Sequence, residues 1–317
     1  MTCDRAMNPN AAEIEEQAAK MAERFGLLRP GNGGRFDAFN SIVAHTYPTA
    51  SVQRGLVNAQ WSNWLFFFDD MHDEDLERCR NVEQVARSMS RFVGLLRNGG
   101  DDRGAPPLEQ HTIDLHERLL AFGGEAWLDR FCTSASNYLH LGVLRAVENW
   151  ASGRTPPLDE YLVQREHDSS MHACIDMIEI AEDISIPDEI RNSAPMRRAR
   201  RAAARNVAYF NDIVSYPKEV LVNRNPNNLL HVLISESGMT LEQAAKEALR
   251  MVNQCANDLL DAETELASVP AEHAKATAAY LRGMRYWQRG NVEWSLEGQR
   301  YASPWSPMVE LLRPLDR

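Results

Sequence analysis

At 317 residues, with 44% hydrophobic and 25% charged side chains, the chain has material for one large domain or two ordinary ones around a sizeable core. A net charge of −11 argues against nucleic acid or an anionic membrane surface as the main partner, although bound divalent cations can invert the charge of a site locally. Scattered cysteines without a CxxC pair, an acidic N-terminus without a signal-peptide pattern and no apolar run of spanning length predict a soluble cytoplasmic protein without stable membrane insertion.

Residues 11–25 read as a helix ending at Gly26, and 30–34 as a loop. A second helix runs from Phe36 to about Ala44, before Pro48, and Ser51 is placed to cap a long helix that reaches an acidic patch. Val85, Met89, Phe92, Val93 and Leu96 recur at helical spacing over 82–97, followed by the clearest loop, 98–107. Helices are predicted over 108–122, 125–152, 158–183, 194–216, 240–266 and 271–298, with an irregular tail over 302–317. The nearest strand candidate is the short run His231–Ile234. Ten or more helices with short joints and no repeat predict an all-α, single-domain bundle over residues 1–317.

Two stretches carry chemistry. Trp61 to Phe68 is apolar and aromatic and runs without a break into Asp69, Asp70, Asp73, Glu74 and Asp75. On a helix Asp69 and Asp73 share a face with Asp70 beside them, and their repulsion calls for a cation. Hard oxygen ligands without a nearby Cys or His pair favour Mg²⁺. Farther on, Asn211, Ser215 and Glu219 recur every four residues and offer an amide oxygen, a hydroxyl and a carboxylate, with Lys218 beside them to reach a phosphate. Pro217 inside this run cannot donate to Ile213, so the helix should kink or restart there. Singly, each run is as readily a solvated helix face. Together, two metal motifs point to clamping of a diphosphate.

The first patch resembles the DDxxD motif of class I terpene cyclases, as Asp69-Asp70-Met71-His72-Asp73, and the second resembles their NDxxSxxKE triad, from Asn211 to Glu219. Arg165 resembles the arginine that senses diphosphate, and Arg300-Tyr301, after Asn291 and Trp294, resembles the pair that closes over it. The resemblance covers residues 60–301 and is to bacterial-type enzymes. It implies a helical bundle around a central apolar cavity and three Mg²⁺ ions. Asp69 would ligate two of them, with Asp70 and Asp73 as outer or alternate ligands, and Asn211, Ser215 and Glu219 would hold the third. Arg165, Lys218, Arg300 and Tyr301 would bind the diphosphate. Asp168 would link the sensing arginine to a helix break, and Ser169 would present an effector carbonyl where many bacterial relatives carry Gly.

The implied reaction ionises a linear prenyl diphosphate and cyclises the carbocation to a hydrocarbon or alcohol. Trp61, Trp64, Phe66, Phe67, Tyr209, Trp287 and Trp294 are candidates for the cavity wall, although a helix turns only part of its circumference inward and some must be core. His167 and His172 read as ordinary helix residues, and Cys174 as pocket wall or inert packing. A chain-elongating prenyltransferase is the nearest alternative, but it would carry a second aspartate-rich motif where Asn211, Ser215 and Glu219 stand. A non-catalytic helical binding protein with vestigial motifs is the other. Thr46-Tyr47-Pro48, Arg165 to Ser170 and Asn225 to Leu229 look most similar to cyclases of geranylgeranyl diphosphate, which is favoured over farnesyl diphosphate. Homodimerisation is left open.

Overall fold

The computed structural model describes residues 5–28, 41–72 and 81–297, with the side chains of 70–72 excluded. Asp73, Arg300 and Tyr301 therefore lie outside the described residues, as does the Asp70 side chain. Among the described residues every regular element is helical, and no helix is long and apolar enough to cross a membrane.

Helix α1 (Ala11–Arg24) buries Ile14, Ala18 and Met21, one stripe at helical spacing. After a short helical stretch over 41–46, α2 (Val52–His72) starts where Ser51 Oγ accepts the Arg54 N–H at 3.4 Å. Helix α3 (Val82–Asn98) is capped by Asn81 and buries the predicted Val85, Met89, Phe92 and Leu96. The two helices expected on either side of residue 123 form α4 (Pro107–Asn137), broken at Gly124, whose φ of 75° suits a residue without Cβ. A π-helical turn, Tyr138–Val143, leads into α5 (Leu144–Ser152). The helix predicted to continue across 125–152 is thus widened in its middle. His140 Nδ1 lies 3.1 Å from the Ser136 carbonyl, so a side chain occupies a backbone group near the altered register.

The helix expected over 158–183 is divided into α6 (Leu158–Asp168) and α7 (Met171–Glu182). Ser170 between them has a φ of 55°, a left-handed conformation that ends one helix and re-aims the next. The short α8 (Asp188–Arg191) precedes α9 (Ala194–Tyr216), capped by Ser193. At Pro217 the chain enters a second π-helical turn, Pro217–Val222, as the missing N–H predicted. The strand candidate His231–Ile234 is instead part of α10 (Leu229–Ser237). There the Asn228 side chain caps the Leu230 N–H, and Leu229, Leu230, Val232 and Leu233 are buried between helices, so packing outweighs local β preference. Helix α11 (Leu241–Leu266) opens with a Thr240/Gln243 capping box.

Helix α12 (Ala271–Glu297) completes the bundle. The larger core gathers Trp61, Trp64, Trp127, Phe131 and Met177, and a second lies between α9, α10 and α11. Small residues on α9 and α11, including Ala203, Ala204, Ala244 and Ala248, let those two helices approach closely along their length. Between α2, α6, α7, α9 and α12 the bundle leaves a cavity of about 150 Å³.

Candidate active site

The cavity draws together residues distant in sequence. Asp69 arrives at the end of α2, Arg165 and Asp168 on the last turn of α6, and Ser169 and Ser170 at the break before α7. Asn211 and Ser215 come from α9, with Lys218 and Glu219 from the π-turn that prolongs it. Phe66, Trp287 and Trp294 supply aromatic wall, and Phe66 meets Trp294 with ring centroids 5.8 Å apart.

Arg165 is nine-tenths buried and held from three sides. Its Nε donates to Asp212 Oδ1 at 2.8 Å, its Nη2 donates to Asn211 Oδ1 at 2.8 Å, and its Nη1 lies 3.7 Å from Asp168 Oδ2. Burial opposes the guanidinium charge, but Asp212 and its other anionic neighbours outweigh that cost and push its pKa well above the ordinary value. Asp212 has no exposed surface and also accepts from the Tyr161 hydroxyl at 2.5 Å and the Leu229 N–H at 3.0 Å. Burial raises its carboxyl to about 6, with Arg165 pulling it back down. Asp168 is raised to about 7, again by burial first and against the pull of Arg165.

Asp212 had no role assigned from sequence, although it stands inside the second motif. It is the anchor of the site's arginine. Asn228, also unassigned, donates to the Asp212 carbonyl at 2.9 Å and to Glu219 Oε2 at 3.0 Å, tying α10 to the triad. Tyr138 is a third addition. Its hydroxyl donates to Asp69 Oδ1 at 3.3 Å.

The donors fit a hard divalent cation. Ser215 Oγ is buried without a hydrogen-bond partner, which is costly unless a ligand engages it. Asn211 and Glu219 flank it at helical spacing and complete an all-oxygen set. Among the described residues no three His, Cys, Asp or Glu side chains are placed to hold a metal ion by themselves, and the candidate ligands on this rim include an amide and a hydroxyl beside the carboxylate.

Several predicted wall residues lie elsewhere. Trp61 is 1% exposed, stacks on Trp64 at 5.2 Å and meets Phe131 in a T-shaped contact. Trp64 stacks on Phe68 and donates its indole N–H to Thr112. Both belong to the core, because the inward arc of α2 is wider than the arc that meets the cavity. Phe67 packs against the core clusters, and Tyr209 is buried in the core shared by α9 and α11. Cys174 does line the cavity, but burial pushes its thiol up to about 11 and makes it a poor nucleophile. His167 and His172 sit with ring centroids 6.0 Å apart outside this constellation, His172 facing Glu166 at 3.2 Å.

Residues 60–258 match the family described as "Terpene synthase family 2, C-terminal metal binding". The chain belongs to the terpene synthases. It is an all-α, bacterial-type class I terpene cyclase, a lyase acting on prenyl diphosphates, which sets aside the non-catalytic alternative. It is 28% identical to a (+)-T-muurolol synthase ((2E,6E)-farnesyl diphosphate cyclizing) of Roseiflexus castenholzii, covering 94% of this chain and 91% of that one. Identity to the 10-epi-cubebol synthase of Sorangium cellulosum is also 28%, over 94% and 95% of the two chains. The crystal structure of an a-eudesmol synthase superimposes with a TM-score of 0.82 at 25% identity, covering 93% and 97%. The cyclase therefore shares its helical architecture and a divalent-metal site with this family.

Proposed function

We propose that this terpene cyclase takes farnesyl diphosphate and, with three Mg²⁺ ions, ionises and cyclises it to a sesquiterpene. One observation carries the reading: Asp69, Arg165 and the set Asn211, Ser215 and Glu219 border the same cavity as Phe66, Trp287 and Trp294. A metal-binding and cationic mouth therefore opens onto an aromatic wall. The fifteen-carbon substrate, rather than geranylgeranyl diphosphate, is supported by relatives whose names specify farnesyl diphosphate.

Asp69 on one side and Asn211, Ser215 and Glu219 on the other would hold the ions. When bound, these supply Lewis-acid neutralisation of the departing diphosphate. Arg165 and Lys218 would donate hydrogen bonds to its oxygens, joined from outside the described residues by Arg300 and Tyr301. The carboxylate of Asp212 keeps Arg165 charged and oriented before substrate arrives, so little reorganisation remains at ionisation. Ser169 and Ser170 at the helix break line the cavity, where the Ser169 carbonyl would face the nascent cation. Ring faces of Phe66, Trp287 and Trp294 would stabilise positive charge and exclude water while the chain folds.

The test is Mg²⁺-dependent turnover of geranyl, farnesyl and geranylgeranyl diphosphates in separate reactions, each with and without isopentenyl diphosphate, read by mass spectrometry. Farnesyl diphosphate alone should yield cyclic fifteen-carbon products. Exclusive turnover of the twenty-carbon substrate, or longer diphosphates formed only with isopentenyl diphosphate, would overturn the proposal. Asp69→Ala and Asn211→Ala should each lower kcat by about a hundred-fold or more; wild-type rates in either would remove the metal assignment.

A further inference from the structure

The π-turn Tyr138–Val143 touches both Asp69 and the end of α6 that carries Arg165 and Asp168. Tyr138, 4% exposed and on the cavity wall, donates its hydroxyl to Asp69 at the end of α2. Four residues later, buried Gly142 lies directly against the last residues of α6. A Cβ built on Gly142 would stand 2.4 Å from the amide nitrogen of Asp168, 2.5 Å from its Cα and 2.8 Å from the carbonyl carbon of His167. These are backbone atoms, so a side chain there could not be accommodated by a rotamer change; the end of α6 or the π-turn itself would have to move. That end carries Arg165 and Asp168, and the next two residues are Ser169 and Ser170 at the helix break.

The widened turn therefore has two contacts on nearly one face, one to the Asp69 carboxylate at the end of α2 and one to the end of α6. Its own register is marked by the Leu144 N–H bonding back to the Leu139 carbonyl, five residues earlier. Single π-helical turns inside α-helices occur often at functional sites, because one added residue re-aims the side chains on either side. Here the re-aimed residues are one that bonds Asp69 and one whose lack of a side chain lets α6 approach.

We infer that Tyr138 and Gly142 are positioning residues, and that this π-turn sets the placement of Asp69 relative to the Asp168–Ser170 segment. The inference rests on the proposed roles of Asp69 and of that segment. Tyr138 acts through its hydrogen bond to the Asp69 side chain, and Gly142 by leaving room for the Asp168 backbone.

The test compares Tyr138→Phe, Gly142→Ala and Asp69→Ala with wild type, all as full chains. Tyr138→Phe keeps the ring and removes only the hydroxyl. It should weaken Mg²⁺-dependent binding of inorganic pyrophosphate, measured by calorimetry without turnover, about ten-fold, with an unchanged melting temperature. Gly142→Ala should spare that binding more than it spares chemistry. Its kcat for farnesyl diphosphate should fall about ten-fold or more, with a larger share of acyclic and early-quenched products, since small misplacement of acting groups is costly. A merely structural glycine would lower the melting temperature without changing the product ratio. If Gly142→Ala does not fold, Tyr138→Phe decides the matter by itself. Wild-type pyrophosphate binding in Tyr138→Phe, or a wild-type kcat and product ratio in folded Gly142→Ala, overturns the inference. If Asp69→Ala is inactive while both π-turn variants match wild type, only this inference falls; a wild type inert to every prenyl diphosphate removes the functional reading as well.

Discussion

Asp212 shows how one side chain can matter through its partners. It accepts from the Arg165 Nε, the Tyr161 hydroxyl and the Leu229 N–H while fully excluded from solvent. Asp212→Asn would leave a buried guanidinium without its main counter-charge, a change that costs about 3–5 kcal/mol when one partner of a buried pair is removed. The expected outcome is a lower denaturation midpoint together with a lower kcat; an unshifted midpoint would show that Arg165 is held by other groups. Sequence placed Asp212 inside the second motif but could not show its direction. The neighbouring Asn211, one residue earlier, is partly exposed at the cavity, whereas Asp212 points into the α6–α10 interface. A helix rotates about 100° per residue, so adjacent positions meet different surroundings.

At the scale of elements, α4 carries a pH dependence that its sequence does not announce. His111 is 1% exposed, packs edge-on against Phe25 of the loop after α1, and leaves its Nδ1 without a partner. Burial lowers its pKa to about 4, with Asp114 only partly opposing. The unfolded chain takes up this proton near the ordinary histidine value and the folded chain does not, so stability rises with pH across that interval. Full stability from this group is present above about pH 6.5 and is lost progressively as pH falls toward 4, by about 3 kcal/mol in all. Denaturant midpoints measured from pH 7 to 4.5 should decline in wild type and less steeply in His111→Gln. Equal slopes would assign the decline elsewhere. Helix ends, by contrast, were legible where the signal is chemical and local: the start of α2 at Ser51, the joint between residues 122 and 125, and the disruption at Pro217. The break at Ser169 and Ser170 was implied only by the family resemblance, because no Pro or Gly marks it and packing around the α6 end selects a left-handed serine.

For the whole molecule, the bundle divides its aromatic residues between stability and chemistry. Trp61→Ala should cost about 3–5 kcal/mol, as expected for emptying a close-packed site, while Phe66→Leu should move the melting temperature little and change the product distribution. Product profiles beside denaturant curves check both, and the reverse pattern would place the cavity wall on the opposite arc of α2. The order of the motifs, the oxygen-only donor chemistry of Asp69 and of Asn211, Ser215 and Glu219, and the helical class were readable along the chain, since each depends on residue type and short-range spacing. Which aromatics reach the cavity, which carboxylate holds Arg165, and that Tyr138 bonds Asp69 were not. Those depend on helix rotation and on contacts between residues as far apart as Asp69 and Tyr138, or Arg165 and Asp212, which exist only once the helices have packed around a common space.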